Sequence, residues 1–245
     1  RLHERMKATG HTNFKSYFTF MRFQASGEEF QNLVNAMTVN ETYFFREEYQ
    51  FDAMTRYIMD ELDSYRPPGE DLRIWSVPSS TGEEPYSIAI HLIENWKGLA
   101  HRDVEIASSD IDSNVLASAK KGLYSKRSVQ NIPTALVKKY FIETNGQFQL
   151  CDDIRESVSF SLANILSGTN MKGFRHFDLV FCRNLLIYFD DESRKKAAHV
   201  LFDAMKPGGY IFLGHSESMS RISSMFKVRK FGDVIAYQKP LAGGA

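Results

Sequence analysis

The sequence predicts an α/β protein, a mostly parallel sheet covered by helices on both faces and preceded by an all-helical segment. Three observations carry this. Residues 72 to 93 read as strand, tight loop and helix; strands and helices alternate from there on; and residues 1 to about 66 contain helical patterns only.

In the leading segment a basic helix stops at Gly10 and a second holds Phe14, Tyr17, Phe18 and Met21. A third opens on the capping box Ser26-x-x-Glu29, a signature in which two side chains satisfy two unpaired backbone N–H groups. It sets Phe30, Leu33, Val34 and Met37 at i, i+3, i+4 and i+7, so one face is expected to be buried. A further helix carries Phe51, Met54, Ile58 and Leu62. Pro67, Pro68 and Gly69 then break the pattern, and the expectation is a helical domain over residues 1–66 and a second domain over 67–245.

Leu72, Ile74, Trp75 and Val77 have the content of a strand buried on both faces, and Ser79, Ser80, Thr81 and Gly82 turn the chain sharply. The next helix opens with Glu83, Glu84 and Pro85, which suits the positive end of its dipole and the one helical turn that tolerates proline. Residues 104 to 109 form the second strand, and 114 to 121 a helix closed by Gly122. Residues 177 to 182 are a later strand, 191 to 205 a helix, and 210 to 214 a strand after the turn Pro207-Gly208-Gly209. Residues 226 to 229 and 234 to 238 flank Gly232-Asp233 as a closing hairpin. Residues 124–160 interrupt the alternation. A helix over 134 to 142 and two short strands, 147 to 150 and 157 to 160, are expected to form an inserted β-subdomain.

The 30 basic residues equal the 30 acidic ones, so no global charge favours nucleic acid or a membrane surface. Locally, Arg1, Arg5, Lys7, Lys15 and Arg22 stand against the single acid Glu4, a pattern of either a solvated face or one that meets an acidic partner. Cys151 and Cys182 provide neither a disulfide framework nor metal-ligand spacing; no metal is expected, and a reducing compartment is. With no membrane-length apolar run and no signal peptide, the expected location is cytoplasmic. Arg1 falls inside an amphipathic pattern, so a natural N-terminus further upstream is expected.

Glu84 is the informative residue of the first loop. Dinucleotide folds place phosphate at this helix start, where a carboxylate would repel it, and the loop has no G-x-G-x-x-G. A cationic ligand without phosphate, such as S-adenosylmethionine, suits the site better; the alternative is that Glu83 and Glu84 only complement the helix dipole. Asp110, at the end of the second strand in Ser108-Ser109-Asp110-Ile111-Asp112, sits where an acid accepts hydrogen bonds from ribose hydroxyls, while Asp112 caps the following helix. Arg183 and Asn184 lie just past a strand's carboxyl end on the same edge. Tyr188 follows one turn later, facing either the crevice or the core. In Asn40-Glu41-Thr42-Tyr43-Phe44-Phe45-Arg46, Arg46 is placed to clamp a carboxylate, with the two phenylalanines as a wall for the ligand tail; the alternative is a surface arginine beside buried rings.

N-E-T-Y-F-F-R, S-T-G-E-E-P-Y-S, S-D-I-D, F-C-R-N-L-L-I-Y-F and G-H-S-E-S occur here in the order found in the CheR family of chemotaxis receptor glutamate methyltransferases, which the chain resembles over nearly its whole length. The resemblance implies a helical N-terminal domain joined to a Rossmann-like methyltransferase domain with a small β-subdomain that contacts the receptor. It also implies a site for S-adenosylmethionine and its product S-adenosylhomocysteine, made by Asn40, Thr42, Arg46, Glu84, Asp110, Asn164, Ile165, Arg183 and Asn184, with Arg46 and Tyr188 bordering the transferred methyl. The first helix of the family is basic and faces the cytoplasmic helical region of the receptor, a character that Arg1, Arg5 and Lys7 match.

Two departures stand out. Pro78 enters a loop that the family builds from small residues, and the stretch between Tyr140 and Phe160 is shorter than in members that grip a receptor's peptide tether, so no tethering is expected. A glutamate acceptor is already ionised at neutral pH, so no strong general base is required, and His215 is expected to hold the loop after its strand. Two rival functions remain: a methyltransferase with another protein or small-molecule acceptor, and a signalling module that binds the cofactor without transfer.

Overall fold

The apolar run at residues 72–77 becomes β1 (Leu72–Ser76), an inner strand of a seven-stranded sheet in the computed structural model, which describes residues 1–168 and 170–241. β2 (Val104–Asp110) and β6 (Val158–Leu162) extend the sheet on one side of β1. β7 (Phe177–Cys182) and β8 (Met205–Leu213) extend it on the other, all parallel. β10 (Val234–Gln238) and β9 (Lys227–Phe231) close it as the expected antiparallel hairpin. The chain works outward from β1 to β6, then returns to β7 at the other flank of β1. Ligands bind outside the carboxyl ends of strands at such a reversal.

Alternation along the strands divides the core. Leu72, Ile74, Leu179, Phe181, Tyr210 and Phe212 face one side, packed with α6 (Glu83–Asn95); Trp75, Val180, Cys182, Ile211 and Leu213 face the other, packed with α11 (Asp191–Ala204). Residues buried on both faces are what a helix-covered parallel sheet requires. The α/β class and the mostly parallel sheet are as the sequence predicts.

The leading helices are α1 (Leu2–Ala8), α2 (Phe14–Phe23) and α3 (Glu28–Met37), then α4 (Glu48–Ala53), a π-helical turn (Met54–Ile58) and α5 (Met59–Tyr65). Phe51, Met54, Ile58 and Leu62 are fully buried and belong to the α6-side core.

Four local expectations are corrected. Gly27, in the left-handed region, is the N-cap of α3, and Glu29 N donates to Gln24 Oε1 at 2.7 Å. Glu29 itself turns inward to a bidentate pair with Arg5 and a bond from Tyr17, so the capping box does not form. The apolar face of α3 is open rather than buried: Phe30 and Met37 are each 57% exposed. In the inserted segment, 158–162 pairs in parallel with β2 and is therefore the sheet's edge strand β6, not part of the inserted β-subdomain, the flap. The flap's own sheet is β3 (Leu123–Ser125), β5 (Gln147–Leu150) and β4 (Phe141–Thr144), the last of these where the sequence pattern predicts the end of a helix that stops instead at Tyr140. Among the described residues no helix is long and apolar enough to cross a membrane.

Candidate cofactor site

The loop after β1 is built by close approach. Gly82 has φ +95°, and a Cβ there would stand 2.9 Å from Ala119 Cβ and from Tyr86, so only glycine closes this turn. Pro78 follows a cis peptide bond. Ser79 N donates to Ser109 O at 2.8 Å and Ser80 N to Asp110 Oδ2 at 2.8 Å, which locks the loop onto the end of β2. Asp110 Oδ1 accepts from Asp112 N at 3.0 Å. Burial pushes the Asp110 carboxyl above its ordinary value, against these N–H groups.

Glu84, in the first turn of α6, accepts from Ser76 Oγ at 2.8 Å and from Arg183 Nη1 at 2.9 Å. Burial raises its pKa, and the Arg183 guanidinium opposes the rise. Arg183 is itself enclosed: it also pairs with Glu47 at 3.2 Å, donates to Arg46 O at 2.6 Å and lies 5.6 Å from the Phe51 ring centroid. Its side chain is a latch between the sheet edge and the 38–47 loop. Glu47 carried no signal in the sequence beyond following Arg46.

That loop is pinned at both ends. Thr38 Oγ1 and Asn40 Nδ2 donate to Asp112 Oδ2, while Asp112 Oδ1 accepts from Asn114 N and Val115 N and so caps α7 (Ser113–Lys121) as the sequence indicates. Phe44 N donates to Ser128 O at 3.0 Å. Phe44 and Phe45 are buried in the core, with Phe44 edge-on to Tyr124 and Phe141; they do not wall the ligand tail. Tyr43 and Phe51 line the cavity instead, and Arg46 reaches over the Tyr43 ring with Nη1 on Glu41 O.

Two cavities, of about 150 and 460 Å³, meet along the carboxyl edge of the sheet. The smaller is polar and holds Thr42, Arg46, Glu84 and Arg183; the larger is apolar and holds Asp110, Asn164 and Ile165. Asn40, Asn184 and Tyr188 line both, with Val39 and Pro78, so they form one elongated cleft that brings together all ten residues singled out in the sequence. Asn164 Oδ1 accepts from Leu166 N, and Ile165 is buried. Tyr188 ends a short 3₁₀ turn, Leu186–Tyr188, and is 60% exposed, so it belongs to the crevice and not the core. Leu33, Val34 and Met37 supply an apolar wall that the sequence pattern assigns to the core.

Phe45, Glu47, Ser80 and Asn184 all have positive φ without being glycine, a cluster of uncommon backbone conformations around the cleft. Ser80 Oγ, at the small cavity, is buried and without a partner. His215 is exposed on another cavity and does not hold its loop; Glu217 does, through bonds to Gly214 N, Asn184 N and Ile187 N.

The family model described as CheR methyltransferase, SAM binding domain, matches residues 40–235. Chemotaxis protein methyltransferase 2 of Vibrio cholerae is 50% identical over 244 residues, covering 99% of this chain and 84% of the relative. Chemotaxis protein methyltransferase 2 of Pseudomonas aeruginosa is 35% identical over 96% of this chain and 82% of its own length. The chemotaxis protein methyltransferase of Escherichia coli is 32% identical over 94% and 78%. On the family model and these identities, which extend over the cleft and the sheet that builds it, the chain belongs to the CheR methyltransferase family.

Proposed function

We propose that the protein binds S-adenosylmethionine along the two-part cleft and methylates glutamate side chains in the cytoplasmic helical region of chemoreceptors. One observation carries the reading: Asp110 lies in the apolar cavity, Glu84 and Arg46 lie in the polar one, and Asn184 and Tyr188 stand where the two join. An amino-acid tail with both charges and an apolar nucleoside suit the two halves. The unpartnered Ser80 Oγ and the free lone pairs of Asp110 fit a polar ligand there.

In this reading Asp110 accepts from ribose hydroxyls, Arg46 clamps the methionine carboxylate and Glu84 faces the ammonium. Arg183 holds Glu84 in place and opposes the rise that burial gives its pKa, more than it reaches the ligand itself. Asn40, Thr42, Asn164, Ile165 and Asn184 complete the walls. When bound, S-adenosylmethionine supplies an electrophilic methyl group on a cationic sulfur. The chain's residues then have two tasks, aligning an already ionised acceptor carboxylate and excluding water. Tyr188, at the junction and half open to solvent, is placed to orient the acceptor. No base is required.

The acidic partner surface meets exposed cations. Arg1 donates to Met37 O and Thr38 O, and Arg5 is bound to Glu29, so both tie α1 to α3; Arg1 and Lys7 of the basic first helix remain exposed for the receptor, as do Lys15 and Arg22, together with the β-subdomain. The short turn Asn145-Gly146 between β4 and β5 supports the expectation of no peptide tether, and the proposed site of action is cytoplasmic.

Calorimetry with S-adenosylmethionine and S-adenosylhomocysteine, with NAD as control, on the wild type and Asp110→Ala, tests the cofactor. Both sulfur ligands are expected to bind the wild type, with a loss of at least tenfold in the variant. Absence of binding, or binding of NAD alone, overturns the proposal. Methyl transfer to receptor cytoplasmic fragments, absent with free glutamate, separates this acceptor from other proteins or small molecules, and from a non-catalytic sensor.

A further inference from the structure

The motif G-H-S-E-S has no part in the cleft's lining, yet its glutamate grips the segment that does. Glu217 Oε2 accepts from Asn184 N and from Gly214 N, each at 2.8 Å, and Oε1 accepts from Ile187 N at 3.2 Å. Three backbone donors from two loops converge on one carboxylate, and among the described residues no cation pairs with it. The loops also touch: a Cβ on Gly214 would stand 2.8 Å from Asn184 Nδ2 and 2.9 Å from Glu217 Oε2, so a side chain there would displace one of these two groups. Asn184 holds a φ of +56°, in the left-handed region that asparagine enters more readily than most side chains. The middle of the segment is also fastened by Arg194, whose Nε donates to Leu186 O at 3.0 Å.

We propose that Glu217 is a positioning residue for methyl transfer, acting through the 184–188 segment to set Asn184 and Tyr188 at the junction of the cleft. It lines neither half of the cleft and so touches neither ligand there. The charge and both oxygens are needed. A glutamine offers one acceptor oxygen and turns an NH₂ donor against N–H groups, leaving at least one of the three unpaired. Glu84, Arg46 and Asp110 are anchored independently, so Glu217 governs alignment much more than cofactor retention.

This inference rests on the methyl-transfer reading, and its test keeps the two apart. In Glu217→Gln, folded by circular dichroism, kcat with receptor fragments is expected to fall about 10- to 100-fold, as misplacement of a reacting pair does, while S-adenosylhomocysteine affinity changes less than about threefold. Combined with Tyr188→Ala, the same substitution should cost several-fold less in kcat than it does alone, because one of the two residues it acts through is gone. Amide exchange at Asn184 and Ile187, slow in the wild type, should accelerate in the variant. Glu217→Asp, with both oxygens drawn back by one methylene, should fall between, and it serves if glutamine prevents folding. An unchanged kcat, or an equal loss with and without Tyr188, overturns the proposal. Failure of the wild type to bind S-adenosylhomocysteine would instead remove the cofactor reading, and the exchange data would still decide whether Glu217 holds the segment.

Discussion

The helix through Phe51, Met54, Ile58 and Leu62 and the helix through Phe30, Leu33, Val34 and Met37 carry the same kind of apolar stripe, and only the first is covered. All four residues of the first are fully buried against the sheet, and Phe51 lies 5.6 Å from the Phe181 ring. The second touches the sheet edge through polar groups: Gln31 Nε2 on Ile111 O, Asn35 with Ser113, and Thr38 on Asp112. Leu33, Val34 and Met37 of its stripe are left facing the larger cavity, and Phe30 is exposed. An apolar period shows that a helix has a face to bury, and the long-range topology decides what covers it; beside a cleft, the cofactor proposed above is the candidate cover.

The largest effect that tests this contrast is in the covered helix. Phe51→Ala should destabilise by about 3–5 kcal/mol, the range for emptying a close-packed aromatic site, and should loosen the Arg183 latch. Urea unfolding measures it. A cost no greater than that of truncating the open stripe would erase the distinction between the two helices.

Next in size is the join that holds the open helix in place. Glu29→Gln removes the carboxylate that Arg5 and Tyr17 both address, and should cost roughly 2–3 kcal/mol, below the fully buried range because Arg5 is 26% exposed. Arg5 holds the Glu29 pKa below its ordinary 4.5. A lowered folded pKa contributes stability that is complete above the unfolded value and lost as pH falls through the folded one. The wild type should therefore lose stability faster than Glu29→Gln as pH drops below about 4.5, and parallel acid limbs would sink this assignment.

These cases show what the sequence made legible. Strand and helix alternation, the glycine turn at Gly82, the Asp112 cap and the edge position of Asp110 rest on local chemistry that a few residues determine. Residues that act across long separations were hidden. The strand at 158–162 reads as flap until its pairing with β2 is known, and Glu29 reads as a cap until Arg5 reaches it. Phe44 and Phe45 read as a ligand wall because a positive φ at Phe45, which turns the chain, leaves no mark on a pattern. His215 drew attention by its chemistry, and Glu217, two residues on, does the holding. Eight of the ten cleft residues lie in the ordered motifs, Asn164 and Ile165 entered only with the family resemblance, and Glu47 and the α3 wall had no such signal.

The smallest expected effect is the sharpest test of the comparison. Met37 is 57% exposed at the lip of the apolar cavity, so Met37→Ala removes few buried contacts from the free protein and should change stability by less than about 1 kcal/mol. If a nucleoside covers the stripe, the same methylenes leave water only on binding, and at about 0.8 kcal/mol per buried CH₂ their loss should weaken S-adenosylhomocysteine by about three- to tenfold. Phe51→Ala inverts the pattern in magnitude, with a large stability loss. Calorimetry beside urea unfolding on both variants reads the two quantities separately. Unchanged affinity in Met37→Ala would mean that the ligand stops short of α3, and that the open stripe awaits a different cover.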